Sequence, residues 1–567
     1  MKAKYNKNKN KEFDKRIGCL RFAFVLFISL LVAHLFIIQI LDIKKFRNKA
    51  KNQRTSKLIA LRGDIVDRNN MKLAGDKISY DIFAIKKDFD HTPHELAEIL
   101  SPHLDIPVSK LTKKLSSKNK VILLKKDVDR KTSNAIMKLG LREISRDLKN
   151  KRVYPQETLA SHVLGFYNPN ADIAAGIEQT AKERLEYVDK NLRYEKSRRG
   201  DIIYGIGTDP AKLSELLKGS TLQLTLNSAV QHVCEKALAK MVVKSKAKRG
   251  AVIVMEPSTG DILALAVYPF YNPNQYGKYS MSQMKNWAIT DIYPPGSTFK
   301  ILTLASGFIN KKINKNTKVL DTGYVDIGDW HITNSDYKKN PHPGIIDLVY
   351  LLRHSSNVGA IRVALLMSDE EFYNTLRSFN IGQKTGLDLP GESSGILPAP
   401  HIKKWGLAKK ASMGYGYGAS ATAIQMAAAI NAIANKGVWV TPHVIKYSPE
   451  EAEQKVAKRR VMEEADAKTL TELLVKAIDG GKSKIDGYSL AAKTGTSRRY
   501  DDKKNTFSKY YYTSMVGFLP ASNPKVTIYV VVDSAQGENI YGSTVAGPVF
   551  REIALDLIKV LNINPDR

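Results

Sequence analysis

Three short stretches of this 567-residue chain carry side chains that together could move an acyl group. The first, Pro294-Pro295-Gly296-Ser297-Thr298-Phe299-Lys300, sets a hydroxyl three positions before an amine and leads into a mostly apolar run, 301–308. Pro and Gly just ahead of such a run mark the start of a helix, and a spacing of three puts Lys300 one turn from Ser297 on the same face. A serine hydroxyl is a weak nucleophile at neutral pH and needs a neighbour to take its proton; lysine can do so where burial or nearby cations lower its pKa. The second stretch, Ser355-Ser356-Asn357, offers another hydroxyl and a side-chain amide. The third, Lys493-Thr494-Gly495-Thr496, offers a cation and two hydroxyls suited to a carboxylate, with a glycine that would let a ligand backbone come close. Each pattern alone is common, and Lys-Thr-Gly also occurs in ordinary turns.

The elements around these stretches read as one assembly. Residues 221–226 alternate at a strand period, and Asn227 can cap a helix beginning at Ser228. Residues 250–256 and 261–268 are β-rich runs joined by Pro257-Ser258-Thr259-Gly260, a hairpin. A long helical and loop section holds Ser297, and Ser355 to Asn357 falls on a loop between the helical segments 346–354 and 358–366. Strands return at 488–496, 511–518 and 526–533, and 548–561 closes the chain as an amphipathic helix. Strands at both ends with helices between them predict an α+β fold with a central antiparallel sheet flanked by helices.

The N-terminal part is different in character. Residues 22–41 contain no Asp, Glu, Lys or Arg, a length that matches an α-helix crossing the hydrocarbon core. A cleavable signal peptide is the other reading, but the run lacks the small-residue cleavage pattern, so an uncleaved anchor is expected. Basic residues stand on both sides in nearly equal number, so charge does not orient the span. Residues 42–220 read as a mixed α+β region containing Arg62-Gly63-Asp64, Arg152-Val153-Tyr154-Pro155 and Gly176-Ile177-Glu178, each expected to be a structural turn or part of a buried ion pair, with a partner-binding surface as the alternative. The basic stretch 198–207 reads as a loop. The formal net charge of +32 favours polyanions, but with lysine spread along the chain and no zinc-finger or RNA-binding pattern, nucleic acid is not expected. Two cysteines, Cys19 and Cys234, are too few for a cysteine zinc site, and a disulfide between them is not expected.

Ser-x-x-Lys, Ser-x-Asn and Lys-Thr-Gly in this order, separated by 58 and 138 residues, resemble the signature of the penicillin-recognising acyl-serine transferases. With the three N-terminal segments and Gly414-Tyr415-Gly416, Thr422 and Gln425, the chain resembles the class B penicillin-binding proteins, and its division-specific, septal branch in particular, over essentially all residues after about 17. The resemblance implies a cytoplasmic tail at 1–16, a transmembrane anchor at 17–41, a pedestal of the dimerisation type at 42–220 and a transpeptidase domain at 221–567. It places the chain in a bacterial inner membrane, single-pass, with the catalytic domain on the periplasmic side. It implies that Ser297 is the nucleophile, Lys300 its base, Ser355 a proton relay and Asn357 a positioning group. Lys493 is implied to repel a proton from Lys300, Thr494 and Thr496 to bind the terminal carboxylate beside Gly495, and the N–H groups of Ser297 and Thr496 to hold the oxyanion. No metal or cofactor is implied. Implied partners are peptidoglycan stem peptides, β-lactams and membrane-embedded division proteins, including a lipid-linked glycan polymerase. Three positions depart from the pattern: Asn70 for a frequent glycine, Ala423 for a common proline, and Trp287 where a basic residue is usual. Other uses of the same triad stay open: a carboxypeptidase or β-lactamase, a sensor, an elongation-specific transpeptidase, or a scaffold that recruits partners.

Overall fold

The computed structural model describes every residue except 1, 43, 45–54, 58–59, 170, 188–192, 196–216, 329, 402–404, 482 and 502–505. The loop expected over 198–207 lies outside the described residues. Helix α1, Lys2–Phe36, continues through one π-helical turn, Ile37–Leu41. Within it Lys15–Ile40 forms a 26-residue span containing an 18-residue window of mean hydropathy 2.6, none of it buried, so by length and composition it can cross a bilayer.

The remaining chain divides into two compact units, and the division does not follow a single cut near residue 220. Residues 78–151 group with 1–61 and 187–218, whereas 62–77 and 152–186 group with 219–567. In the smaller unit, residues 80–85 of the strand Lys72–Ile85 pair antiparallel with Val121–Val128. Leu96, Leu100 and Leu104 from the helix Pro93–Leu104 pack into the same core as Ile82, Leu124 and Ile136. That helix begins with a capping box in which Thr92 and Glu95 satisfy each other's backbone N–H groups.

The larger unit is built on a five-stranded antiparallel sheet. Helix α2, Ser228–Lys244, precedes the hairpin β1, Arg249–Met255, and β2, Ile262–Tyr268. Three strands from the far end of the chain complete the sheet: β3, Ala491–Asp501; β4, Thr506–Leu519; and β5, Val526–Asp533. The spatial order is β2-β1-β5-β4-β3, so β3 is an edge. The central strands are apolar on both faces because both faces are covered. Val252, Val254, Val530 and Val532 meet Cys234 and Leu238 of α2 and Phe550 and Ile553 of the closing helix Ala546–Val560. Ala251, Ile253, Tyr529 and Val531 instead face a cluster that includes the helix Ala423–Ala434. The expected Asn227 cap is present, its Oδ1 accepting from Ala229 and Val230 N–H at 3.0 and 3.3 Å. Three strand expectations differ in extent, β4 starting at Thr506 rather than 511. Only Leu222–Gln223 of 221–226 is a strand, and β3 starts at Ala491 rather than 488, because Tyr488 and Ser489 are tied by hydrogen bonds to the C-terminal Ile563 and Asp566.

The three N-terminal segments converge inside this larger unit. Glu178, wholly buried, accepts from Arg62 Nε at 2.7 Å, Arg152 Nε at 2.6 Å and Tyr154 OH at 3.1 Å, and Arg152 also reaches Asp76 at 3.1 Å. The expected buried ion pair is therefore a network in which two guanidiniums share Glu178, with Asp76 on Arg152 and Glu186 at 3.5 Å from Arg62 Nη1. Asn70 adopts φ +65°, a conformation that asparagine tolerates better than most residues.

Candidate active site

Ser297 lies in a single 3-10 turn, Gly296–Phe299, and Lys300 opens the α-helix that follows, Lys300–Ile309. The sequence predicts an ordinary helix start here. The tighter turn is a difference in detail that suits the chemistry, since residues three apart eclipse in a 3-10 turn. Gly296 has φ +59° and donates its N–H to Gly416 O at 3.0 Å. Gly416 itself sits at φ +90°, and a Cβ there would fall 2.1 Å from the Gly296 carbonyl oxygen. On the other side, Ser497 Oγ of β3 donates to Pro294 O at 2.6 Å. The backbone leading to Ser297 is thus held between β3 and the 414–416 turn, and the Ser297 side chain is half-buried.

Lys300 is completely buried. Its amine reaches Ser355 O at 2.5 Å, Asn357 Oδ1 at 2.7 Å and Ser355 Oγ at 3.2 Å. Burial pushes its pKa well below the usual lysine range, the Lys493 charge pushes the same way, and Asp321 and Asp336 oppose. Lys493 of β3 donates to the same Ser355 Oγ at 3.1 Å and to Thr494 O at 3.0 Å, and burial lowers its pKa to about 8. The Ser355 hydroxyl therefore bridges two buried amines. A neutral Lys300 has two N–H bonds, which satisfy the two pure acceptors, Ser355 O and Asn357 Oδ1. Its lone pair is then left for a hydroxyl proton.

Ser355 ends the helix Leu348–His354 in the left-handed conformation, φ +58°, and Asn357 is the first residue of the next helix, Asn357–Leu365. This matches the loop between helices read from sequence, tightened to two residues. Asn357 Nδ2 donates to Thr333 O at 2.8 Å, which fixes the amide so that Oδ1 faces Lys300. Asn334 Oδ1 accepts from Asn357 N–H at 2.8 Å. Asn334 carries no signal in the sequence, since it is a lone asparagine just after the strand Trp330–Thr333.

Thr494 and Thr496 are half-buried on β3, an edge strand of the sheet, and an edge of this kind can pair with an extended ligand. Gly542 N–H donates to Thr496 Oγ1 at 2.9 Å, which leaves that hydroxyl its own proton to give. Gly495 is explained differently than the sequence suggests. A Cβ there would lie 2.6 Å from Ser514 Oγ and 3.0 Å from Thr298 Cγ2, so the close approach is made by the protein's own β4 and Ser297 turn. Gly542, which also packs against Gly495 at a distance only glycine permits, has no distinguishing sequence signal. Among the described residues no cluster of His, Cys, Asp and Glu is arranged to hold a metal ion.

All the residues singled out from sequence thus meet within one site: the Ser297 turn, Lys300, Ser355, Asn357, Lys493 and the Thr494–Thr496 edge. The arrangement can supply a hydroxyl nucleophile, a neutral amine, a relayed proton and a carboxylate cradle.

Residues 250–555 match the family model described as penicillin binding protein transpeptidase domain, and residues 57–204 match that of the penicillin-binding protein dimerisation domain. The chain is 30% identical to the probable peptidoglycan D,D-transpeptidase PenA of Neisseria gonorrhoeae, over 97% of this chain and 94% of the relative. It is 28% identical to the peptidoglycan D,D-transpeptidase FtsI of Escherichia coli K12, over 91% and 86%. Its fold is similar to the crystal structure of penicillin-binding protein 2X from Streptococcus thermophilus, with a TM-score of 0.72 at 22% identity, over 90% of this chain and 80% of that one.

Proposed function

From the premise that the chain belongs to the class B penicillin-binding proteins, the peptidoglycan D,D-transpeptidases, we propose that it cross-links stem peptides through an acyl-enzyme on Ser297. The observation that carries this reading is the buried Lys300 amine, bonded to Ser355 and Asn357 and repelled by Lys493. Lys300 takes the Ser297 proton as Oγ attacks the carbonyl of the penultimate D-alanine. The oxyanion forms against the N–H groups of Ser297 and Thr496, each worth about 3 kcal/mol in such a site. As the tetrahedral intermediate collapses, the C–N bond breaks and the departing D-alanine nitrogen receives a proton from Lys300 through Ser355. Thr494 and Thr496, with the Lys493 charge, hold the terminal carboxylate until then, and Gly495 keeps that edge flush. An amine from a neighbouring stem attacks the ester, gives its proton back along the same route and frees Ser297. A β-lactam acylates the same serine and stays.

We place a cytoplasmic tail at 1–16, the membrane anchor at 17–41, a pedestal at 42–220, of which 62–77 and 152–186 fold with the larger unit, and the catalytic domain, facing the cell wall, at 221–567. Similarity along nearly the whole chain to the FtsI relative supports use at the septum, beside membrane-embedded division proteins. Elongation use and a purely scaffolding role predict other localisation and survival of Ser297→Ala cells, respectively. The central test is covalent labelling by a fluorescent penicillin. The wild-type protein is labelled one to one and Ser297→Ala not at all; equal labelling of both would refute the assignment.

A further inference from the structure

Behind the Ser355 turn lies a buried carboxylate that the reaction as written does not use. Asp321 ends the strand Lys318–Asp321 and has no solvent exposure. Its two oxygens accept from Gly323 N–H at 2.8 Å, from Asn334 Nδ2 at 2.9 Å each, and from Ser356 Oγ at 2.5 Å. Among the described residues no lysine, arginine or histidine forms an ion pair with it. A carboxylate buried without a paired cation is costly, and such groups concentrate at functional sites.

Its position gives the reason. A carboxylate only accepts, so it turns the Asn334 amide with Nδ2 inward and Oδ1 outward. That oxygen accepts from the N–H groups of Asn357 at 2.8 Å and Val358 at 3.2 Å, the first two residues of the helix Asn357–Leu365. Ser356, held by Asp321 at one end, accepts from Gly359 N–H at 2.8 Å and caps the same helix. The turn that carries Ser355 and Asn357 to Lys300 is therefore fastened from behind at two consecutive residues.

We propose that Asp321, acting through Asn334 and Ser356, is a positioning residue for acyl transfer, fixing the turn so that Asn357 Oδ1 and Ser355 meet the Lys300 amine. The proposal rests on the reading of Lys300 as the base. Asp321 also has an electrostatic effect. The charged groups that Lys300 senses are Lys493, which disfavours its protonation, and Asp321 and Asp336, which favour it. Removing the Asp321 charge makes Lys300 easier to deprotonate.

The test uses the full-length protein and the rate of acylation by fluorescent penicillin across pH. In Asp321→Asn, the new amide confronts the Asn334 amide and the turn loosens. Acylation is expected to slow by at least about tenfold, as for small displacements of catalytic groups, and the acid limb of the profile to move to lower pH. A general loss of stability would lower the rate without moving that limb downward, and that result would overturn the proposal. The exchange Asp321→Asn with Asn334→Asp restores a donor facing an acceptor and puts the charge at a helix N-terminus, where it is favoured. It is expected to recover most of the rate. Wild-type rate and profile in Asp321→Asn would overturn the proposal, and so would an exchange variant that neither folds nor labels. If Asp321→Asn itself does not fold, the exchange variant alone decides. Failure of the wild type to label at Ser297 would overturn the catalytic reading instead.

Discussion

Gly416→Ala tests whether backbone packing sets the position of Ser297, the proposed nucleophile. Gly416 has φ +90°, and its added Cβ would fall 2.1 Å from the carbonyl oxygen of Gly296, the residue just before Ser297. Ordinary contact begins at about 3.4 Å, so the Gly296 peptide has to retreat by roughly 1.3 Å, or Gly416 has to rotate away and give up the bond from Gly296 N–H. The left-handed conformation adds about 1–2 kcal/mol for a residue with a Cβ. Together these predict a stability loss on the order of 2–4 kcal/mol, in the range of strained or overpacked sites. A displacement near 1 Å at a nucleophile costs about a hundredfold in rate. The assay is the second-order rate of acylation by a fluorescent penicillin, measured beside thermal unfolding at a temperature where the variant is folded. Gly277→Ala is the control: a Cβ there meets nothing within 4 Å, and both readings should be unchanged. Acylation of folded Gly416→Ala within about threefold of wild type would refute the argument that this contact places Ser297.

Acylation should follow a bell in pH. Lys300, its pKa held well below the usual lysine value by burial and by the Lys493 charge, becomes protonated as pH falls through that lowered pKa, so the rate drops on the acid side. Lys493 loses its charge as pH rises through about 8, and the rate for carboxylate-bearing ligands drops there; a flat profile in gel-based labelling would contradict both. Glu178→Ala leaves the Arg62 and Arg152 guanidiniums buried without their shared carboxylate, and denaturant unfolding should show a loss of about 3–5 kcal/mol. Full-length protein should stay with membranes through high-salt and carbonate washes because of the span Lys15–Ile40, and its release would refute an integral anchor.

The chemistry was legible in the sequence wherever residue type and local spacing carry it. Ser297 and Lys300 are three apart, so any helical turn brings them together. The β1–β2 hairpin and β5 are apolar runs bounded by turn residues, and Asn227 is a strong cap beside a helical pattern. The N-terminal span is a matter of length and hydropathy. What could not be read is what depends on contacts between distant segments. The sheet order β2-β1-β5-β4-β3 makes β3 an edge beside the Ser297 turn, and strand order is a property of pairing, not of composition. Gly416 and Gly542 are ordinary glycines until Gly296 and Gly495 arrive against them. Asp321 ends one strand and Asn334 follows another, with no local pattern, and only their burial beside the Ser356-Asn357 turn gives them the proposed task.

The sequence by itself determined which groups are on offer for the proposed chemistry: a serine with a lysine one turn away, a second serine with an asparagine, and a Lys-Thr-Gly-Thr strand. Those are facts of covalent order. Only the tertiary structure decided their state. Lys300 can be a base because the fold removes it from water and sets Lys493 across one shared hydroxyl from it. Burial and charge proximity depend on residues far apart along the chain, and they arise when the sheet and the two helical turns close around the amine.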